Sequence, residues 1–128
     1  MAQVKVYGLH SFLTPVQAQL SDIIHSCIVD SLQLPPDKRF HRFFRMQPED
    51  FIYPSDRTEK YTIIEISMFE GRSVEVKKEL IRLLFDRIGT LGIGSNDIEI
   101  TIFETQKSSW GIRGLPGDEL QLNYKVNL

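Results

Sequence analysis

Cysteine is nearly missing from this chain of 128 residues: Cys27 stands alone, so no intramolecular disulfide can form. A disulfide-stapled secreted domain is therefore not suggested. Cys27 falls in a helical apolar pattern, where a buried, inert thiol is the expected role. No run approaches the ~20 apolar residues of a membrane span. The amino terminus, Met1-Ala2-Gln3-Val4-Lys5-Val6-Tyr7, alternates like a strand and has no apolar signal-peptide core, so a cytoplasmic protein is the default expectation. His10, His25 and His41 lack metal-ligand spacing and no Cys/His cluster exists, so neither a metal nor a cofactor is expected. No glycine-rich phosphate loop occurs, because Gly111 to Gly117 lack the strand-to-helix setting such loops need. An excess of one charge is also missing. Fifteen Lys and Arg against seventeen Asp and Glu leave a net charge of -2, which offers no electrostatic reason to expect nucleic acid or an anionic membrane as partner.

What is present is globular in proportion. Apolar residues make up 41% and charged residues 25%, which excludes a disordered chain. The length suits a single domain, residues 1–128, that can bury a core without staples. Residues 2–8 read as a strand ended by Gly8, with Val4 and Val6 on one face. Thr14-Pro15 predicts a helix start, Thr14 as N-cap and Pro15 at the first helical position. Val16, Leu20, Ile23, Ile24, Cys27, Ile28 and Leu32 recur at helical spacing up to the stop at Pro35-Pro36. Residues 39–46 form an aromatic strand, 47–60 a polar connection, and 61–68 a further strand. Ser73 is placed to cap a second helix, with Val76, Leu80, Ile81, Leu84, Ile88 and Leu91 on its apolar face and Gly92 and Gly94 at its end. Asp97 to Phe103 is a strand, with Ile98, Ile100 and Ile102 facing one way, and a weak final strand is expected at 121–127.

The pattern repeats. Leu32-Gln33-Leu34-Pro35-Pro36-Asp37-Lys38 corresponds to Leu91-Gly92-Ile93-Gly94-Ser95-Asn96-Asp97, and each copy runs strand, helix, turn, strand. The expected fold class is α+β: a tandem β-α-β repeat, 1–46 and 61–103, forming one four-stranded mixed sheet with two helices on one face. Neighbouring apolar residues such as Phe43 and Phe44 cannot both face the helices, so the second face needs cover, which a symmetric assembly would supply.

Several strings together resemble the tautomerase superfamily, whose fold is like that of macrophage migration inhibitory factor, and within it the malonate semialdehyde decarboxylase group. They are Val29-Asp30 through Leu34-Pro35-Pro36-Asp37-Lys38-Arg39-Phe40, then Gly71-Arg72-Ser73, then Leu91-Gly92-Ile93 with Asn96-Asp97-Ile98, and Glu104 through Trp110-Gly111-Ile112-Arg113-Gly114. The resemblance implies a homotrimer and a small keto or enol carboxylate as partner. It also implies catalysis by an amino-terminal proline, but residue two is Ala2. Removal of Met1 would expose a primary amine with an ordinary pKa of roughly 7.7–8.0, able to act as a base or form an imine.

The same resemblance assigns the other candidates. Arg72 matches an arginine that binds substrate carboxylate, while the second arginine of that clamp is replaced by Glu70. Lys38 falls where the group carries an aspartate that activates water or orients a proton, with Asp37 one residue early, where it is equally a turn former. Trp110 and Ile112 match residues walling the pocket, and Arg113 is a further cation beside them. His41 with Arg39, Arg42 and Arg45 makes a basic aromatic strand, whose Phe40, Phe43 and Phe44 are better used in packing than in stacking on bases. Two functions stay open. One is weak tautomerase (isomerase) or β-keto acid decarboxylase chemistry, and the other is a non-catalytic trimeric binding or structural role.

Overall fold

The computed structural model describes residues 2–128. Strand β1 (Ala2–Leu9) leads directly into helix α1 (His10–Leu32), which is followed by β2 (His41–Met46). After the connection come β3 (Thr62–Phe69), α2 (Val74–Gly89) and β4 (Ile98–Thr105). The four strands form one mixed sheet in the order β2-β1-β3-β4. The outer pairs are parallel and the central pair, β1 with β3, is antiparallel. This is the expected α+β architecture.

Strand alternation decides which side is covered. Val4, Val6, Ile64 and Ile66 are fully buried and pack with Leu20, Ile24 and Leu32 of α1 and Leu80, Leu84 and Ile88 of α2. Both helices thus share one core on one face. Phe43 packs against that core, while its neighbour Phe44 points to the other side and stacks on Tyr7 with ring centroids 4.8 Å apart. Phe44 is 40% and Phe103 48% exposed, so this second face is open in the isolated subunit.

Three local readings need correction. Helix α1 starts at His10, not at Thr14, and Leu9 at its N-cap makes no side-chain bond. Burial replaces the cap: Leu13 is fully buried against Gly8, where a Cβ would lie 2.9 Å from its Cγ. The Thr14 hydroxyl instead donates to the His10 carbonyl at 2.7 Å, and Pro15 lies inside the helix. Helix α2 begins as expected, with the Ser73 side chain accepting from the Val76 amide. It ends at Gly89, before Gly92 and Gly94, because the Thr90 amide turns back onto the Arg87 and Ile88 carbonyls. Residues 121–127 form no strand. Leu122, Tyr124 and Val126 do alternate inward, onto Phe69, but they pack side chain against side chain and pair with no strand. A short hairpin, β5 (Gly111–Ile112) with β6 (Leu115–Pro116), turns through Arg113 and Gly114 at positive φ.

The connection before β3 is less polar than its composition suggests. Phe51 and Tyr61 are buried with Leu9, and Thr58 donates from both its amide and its hydroxyl to the buried Asp97 carboxylate. Among the described residues no helix is long and apolar enough to cross a membrane.

Helix α1 also binds β2 by polar contacts. The Ser21 hydroxyl and His41 Nδ1 are 2.8 Å apart, and the His41 ring stands edge-on to His25 at 6.0 Å. Burial, helped by His25 and Arg39 and opposed by Asp22, pushes the His41 pKa down from 6.5 to about 4. Between those values the unfolded chain binds the proton and the folded chain does not, so this contribution is full above pH 6.5 and fades as pH falls toward 4. The urea midpoint is expected to drop across that window, and His41→Gln to flatten the drop; equal slopes in the two proteins would contradict the assignment.

Candidate active site

Because β1 and β3 are antiparallel, the start of β1 and the ends of β3 and β4 share one end of the sheet. Ala2 pairs with Met68 and is 5% exposed. The expected removal of Met1 concerns a residue outside the described ones. Beyond Phe69 the chain turns at Gly71, whose φ of +131° is unfavourable for any residue with a side chain. It then delivers Arg72 two residues ahead of α2.

Arg72 is 4% exposed. Its Nη1 donates to the Phe69 carbonyl at 3.1 Å. Its Nε and Nη2 are buried and have no hydrogen-bond partner among the described residues. These two nitrogens share one edge of the guanidinium plane, the edge that can grip a carboxylate with two parallel bonds. Burial lowers the Arg72 pKa, and Tyr124 and Glu104 oppose that fall. Glu104, at the end of β4, pairs with Lys77 of α2 at 2.7 Å.

Apolar groups close the site. Trp110 stands edge-on to Phe69 at 5.1 Å, and Ile112, Tyr124 and Val126 pack on the same cluster. Burial raises the Tyr124 phenol pKa, while the charges of Arg72 and Arg113 pull it down, which puts both cations in electrostatic reach of that phenol. Arg72, Trp110, Ile112 and Arg113 are thus gathered at the Ala2 end of the sheet. Beside them opens a cavity of about 430 Å³, lined by Glu70, Gly71, Lys107, Asp118 and Asn127. A larger cleft, about 580 Å³, lies at the other edge of the sheet, between α1 and β2.

Asp37 and Lys38 occupy the turn that leads into β2, where the Lys38 amide donates to the Pro35 carbonyl at 3.0 Å. Since β2 runs parallel to β1, this turn lies toward the same end of the sheet. No hydrogen bond or ion pair of the described residues joins either side chain to Arg72, Trp110, Ile112 or Arg113. Sequence reasoning missed Phe69, Tyr124 and Val126. The alternation of Leu122, Tyr124 and Val126 was the available signal, and it points to a packed segment as readily as to a strand. No group of three or more His, Cys, Asp or Glu that could hold a metal ion occurs among the described residues.

A family model described as "Tautomerase enzyme" matches residues 38–113, more than half of the chain. The probable tautomerase YusQ of Bacillus subtilis is 26% identical over 98 residues, covering 72% of this chain and 77% of that protein. A probable tautomerase of Ralstonia nicotianae is 33% identical over 55 residues, 42% of this chain and 79% of its own. Among solved structures, a malonate semialdehyde decarboxylase with decarboxylase and hydratase activities superposes with a TM-score of 0.79 at 19% identity, covering 92% of this chain and 99% of its own. A fused 4-OT that forms an asymmetric trimer superposes with a TM-score of 0.81 at 17% identity, covering 91% and 96%.

Two substitutions test the geometry of the buried arginine. A Cβ at Gly71 would lie 2.8 Å from Asn127 Oδ1 and 2.9 Å from Val126 Cγ1, so Gly71→Ala is expected to speed amide exchange across 120–128. Arg72→Met removes two unpaired donors from a buried position and is expected to stabilise the ligand-free protein by about 1–3 kcal/mol in urea unfolding. A loss of stability would show that the guanidinium is already satisfied.

Proposed function

This chain belongs to the tautomerase family, and on that premise we propose that it binds a small keto or enol carboxylate and catalyses its tautomerisation as a homotrimer. The observation that carries the reading is the unpaired Nε–Nη2 edge of buried Arg72, at the sheet end where β1 begins. In this reading that edge binds the substrate carboxylate. The free amine of Ala2, exposed when Met1 is removed, takes a proton from the carbon beside the carbonyl and returns it to the enol. Trp110 and Ile112 exclude water, and Arg113 adds positive potential. In the same reading Asp37 or Lys38, from the turn that leads into β2, activates water or orients a proton. Decarboxylation of a β-keto acid would use the same carboxylate grip.

Access requires movement. Both free nitrogens are shut from solvent, and the charge of Arg72 is felt by Tyr124 in the C-terminal segment, which packs on Phe69 without a strand ladder. That segment must lift for a carboxylate to enter. The trimer is supported by the open sheet face with Phe44 and Phe103, and by the trimeric state of the fused 4-OT. A second reading, a non-catalytic trimeric binding or structural protein, draws support from Glu70 and Asp118, which put negative charge on the cavity rim.

Intact mass before and after borohydride reduction with a panel of small keto acids tests the amine. The expected result is a chain without Met1 and with one substrate trapped at Ala2; retained Met1 with no adduct would favour the second reading. Arg72→Ala is expected to weaken keto-acid binding about 10–100-fold, the loss of hydrogen bonds from a charged donor. Unchanged affinity in that variant would remove Arg72 from the site.

A further inference from the structure

The cleft between α1 and β2 is built unlike an ordinary surface groove. Thr14, Ser26 and Ser31 of α1 fold their hydroxyls back onto helix carbonyls. Ser21 instead reaches across to His41 Nδ1. When Ser21 donates, the neutral ring carries its proton on Nε2 and can offer it to a ligand. One turn before Ser21, the Gln17 Oε1 atom is buried with no hydrogen-bond partner. A buried acceptor left in this state costs about 1–3 kcal/mol, which a ligand N–H or O–H would recover.

Positive charge lines the same cleft. Arg45 makes no ion pair among the described residues. Arg39 holds Asp22 at 2.6 Å through Nη1 alone, and both partners are exposed, so the pair is weak and easily exchanged. Against two arginines stands the single carboxylate of Asp22. Phe43 and Ala18 supply apolar wall, and the volume of about 580 Å³ lies in the ~300–1,000 Å³ range of small-molecule sites.

We propose that this cleft is a second ligand site, for a small organic anion with an apolar ring and one hydrogen-bond donor. The anion sits between Arg39 and Arg45 near His41, the ring lies on Phe43, and the donor meets Gln17. The site is separate from Arg72: it faces the edge strand β2, with β1 between that strand and β3. It therefore does not rest on the tautomerase reading.

The probe is 4-hydroxybenzoate, which carries a carboxylate, a ring and a donor, titrated into the full chain bearing Arg72→Ala. Amide and imidazole resonances report the site. Saturable shifts are expected at Gln17, Ser21, His41 and Arg45. Benzoate, lacking the donor, is expected to bind several-fold more weakly, and Arg39→Ala with Arg45→Ala to weaken the probe at least about tenfold. The absence of saturable shifts, as when another copy of the chain fills the cleft, overturns the proposal. So do shifts confined to the Trp110 end of the sheet, equal affinity for the two probes, or unchanged affinity in the doubly substituted chain. Loss of tautomerase activity in the Arg72→Ala background would leave these outcomes unaffected.

Discussion

The antiparallel contact of β1 with β3 sets the positions of everything else in this molecule. Each of these strands also carries a parallel partner, reached through a helix. Parallel crossovers have a strongly preferred hand, so two units joined antiparallel place both helices on the same side. Val4, Val6, Ile64 and Ile66 meet at that central pair with no exposure, beneath α1 and α2 together. The same pairing sets Ala2 opposite Met68, so a chain start and the Arg72 loop, 70 residues apart in sequence, share one end of the sheet. A parallel pairing would have sent them to opposite ends.

The cost of this arrangement is concentrated at Arg72. A guanidinium with one satisfied edge and one unsatisfied edge is a poor choice for a stable core. It is a sound choice for a site that must bind an anion in a dry setting, where each charge-assisted bond counts for more. Gly71 allows the chain to turn sharply against Val126 and Asn127, and the C-terminal segment packs on Phe69 without joining the sheet.

Much of the architecture was legible from residue order. Strand alternation at Val4 and Val6 and at Ile98, Ile100 and Ile102, helical spacing in α1 and α2, and the Ser73 cap all reflect local stereochemistry. The errors share a cause. Helix α1 gains an extra turn because Leu13 fits against Gly8, a contact between two elements that no capping rule contains. Residues 121–127 alternate like a strand, yet that alternation serves packing on the distant Phe69 and not a strand ladder. The connection after β2 looked polar, yet Phe51 and Tyr61 are buried there and Asp97 anchors Thr58 from a distant loop. Of the candidate site, Arg72, Trp110, Ile112 and Arg113 were found through resemblance, whereas Tyr124 and Phe69 were not.

The sequence by itself determined which segments become strands and helices, that two similar units must share a sheet, and which cation would stand before the second helix. Those outcomes depend on side-chain period, turn residues and caps, all written within a few positions of one another. Only the tertiary structure decided that one edge of the Arg72 guanidinium lies buried and unpaired, that the C-terminal segment packs on Phe69, and that Ser21 and His41 join across a second cleft. Burial and hydrogen bonding depend on which distant groups arrive in the same place, and that is settled when the chain packs.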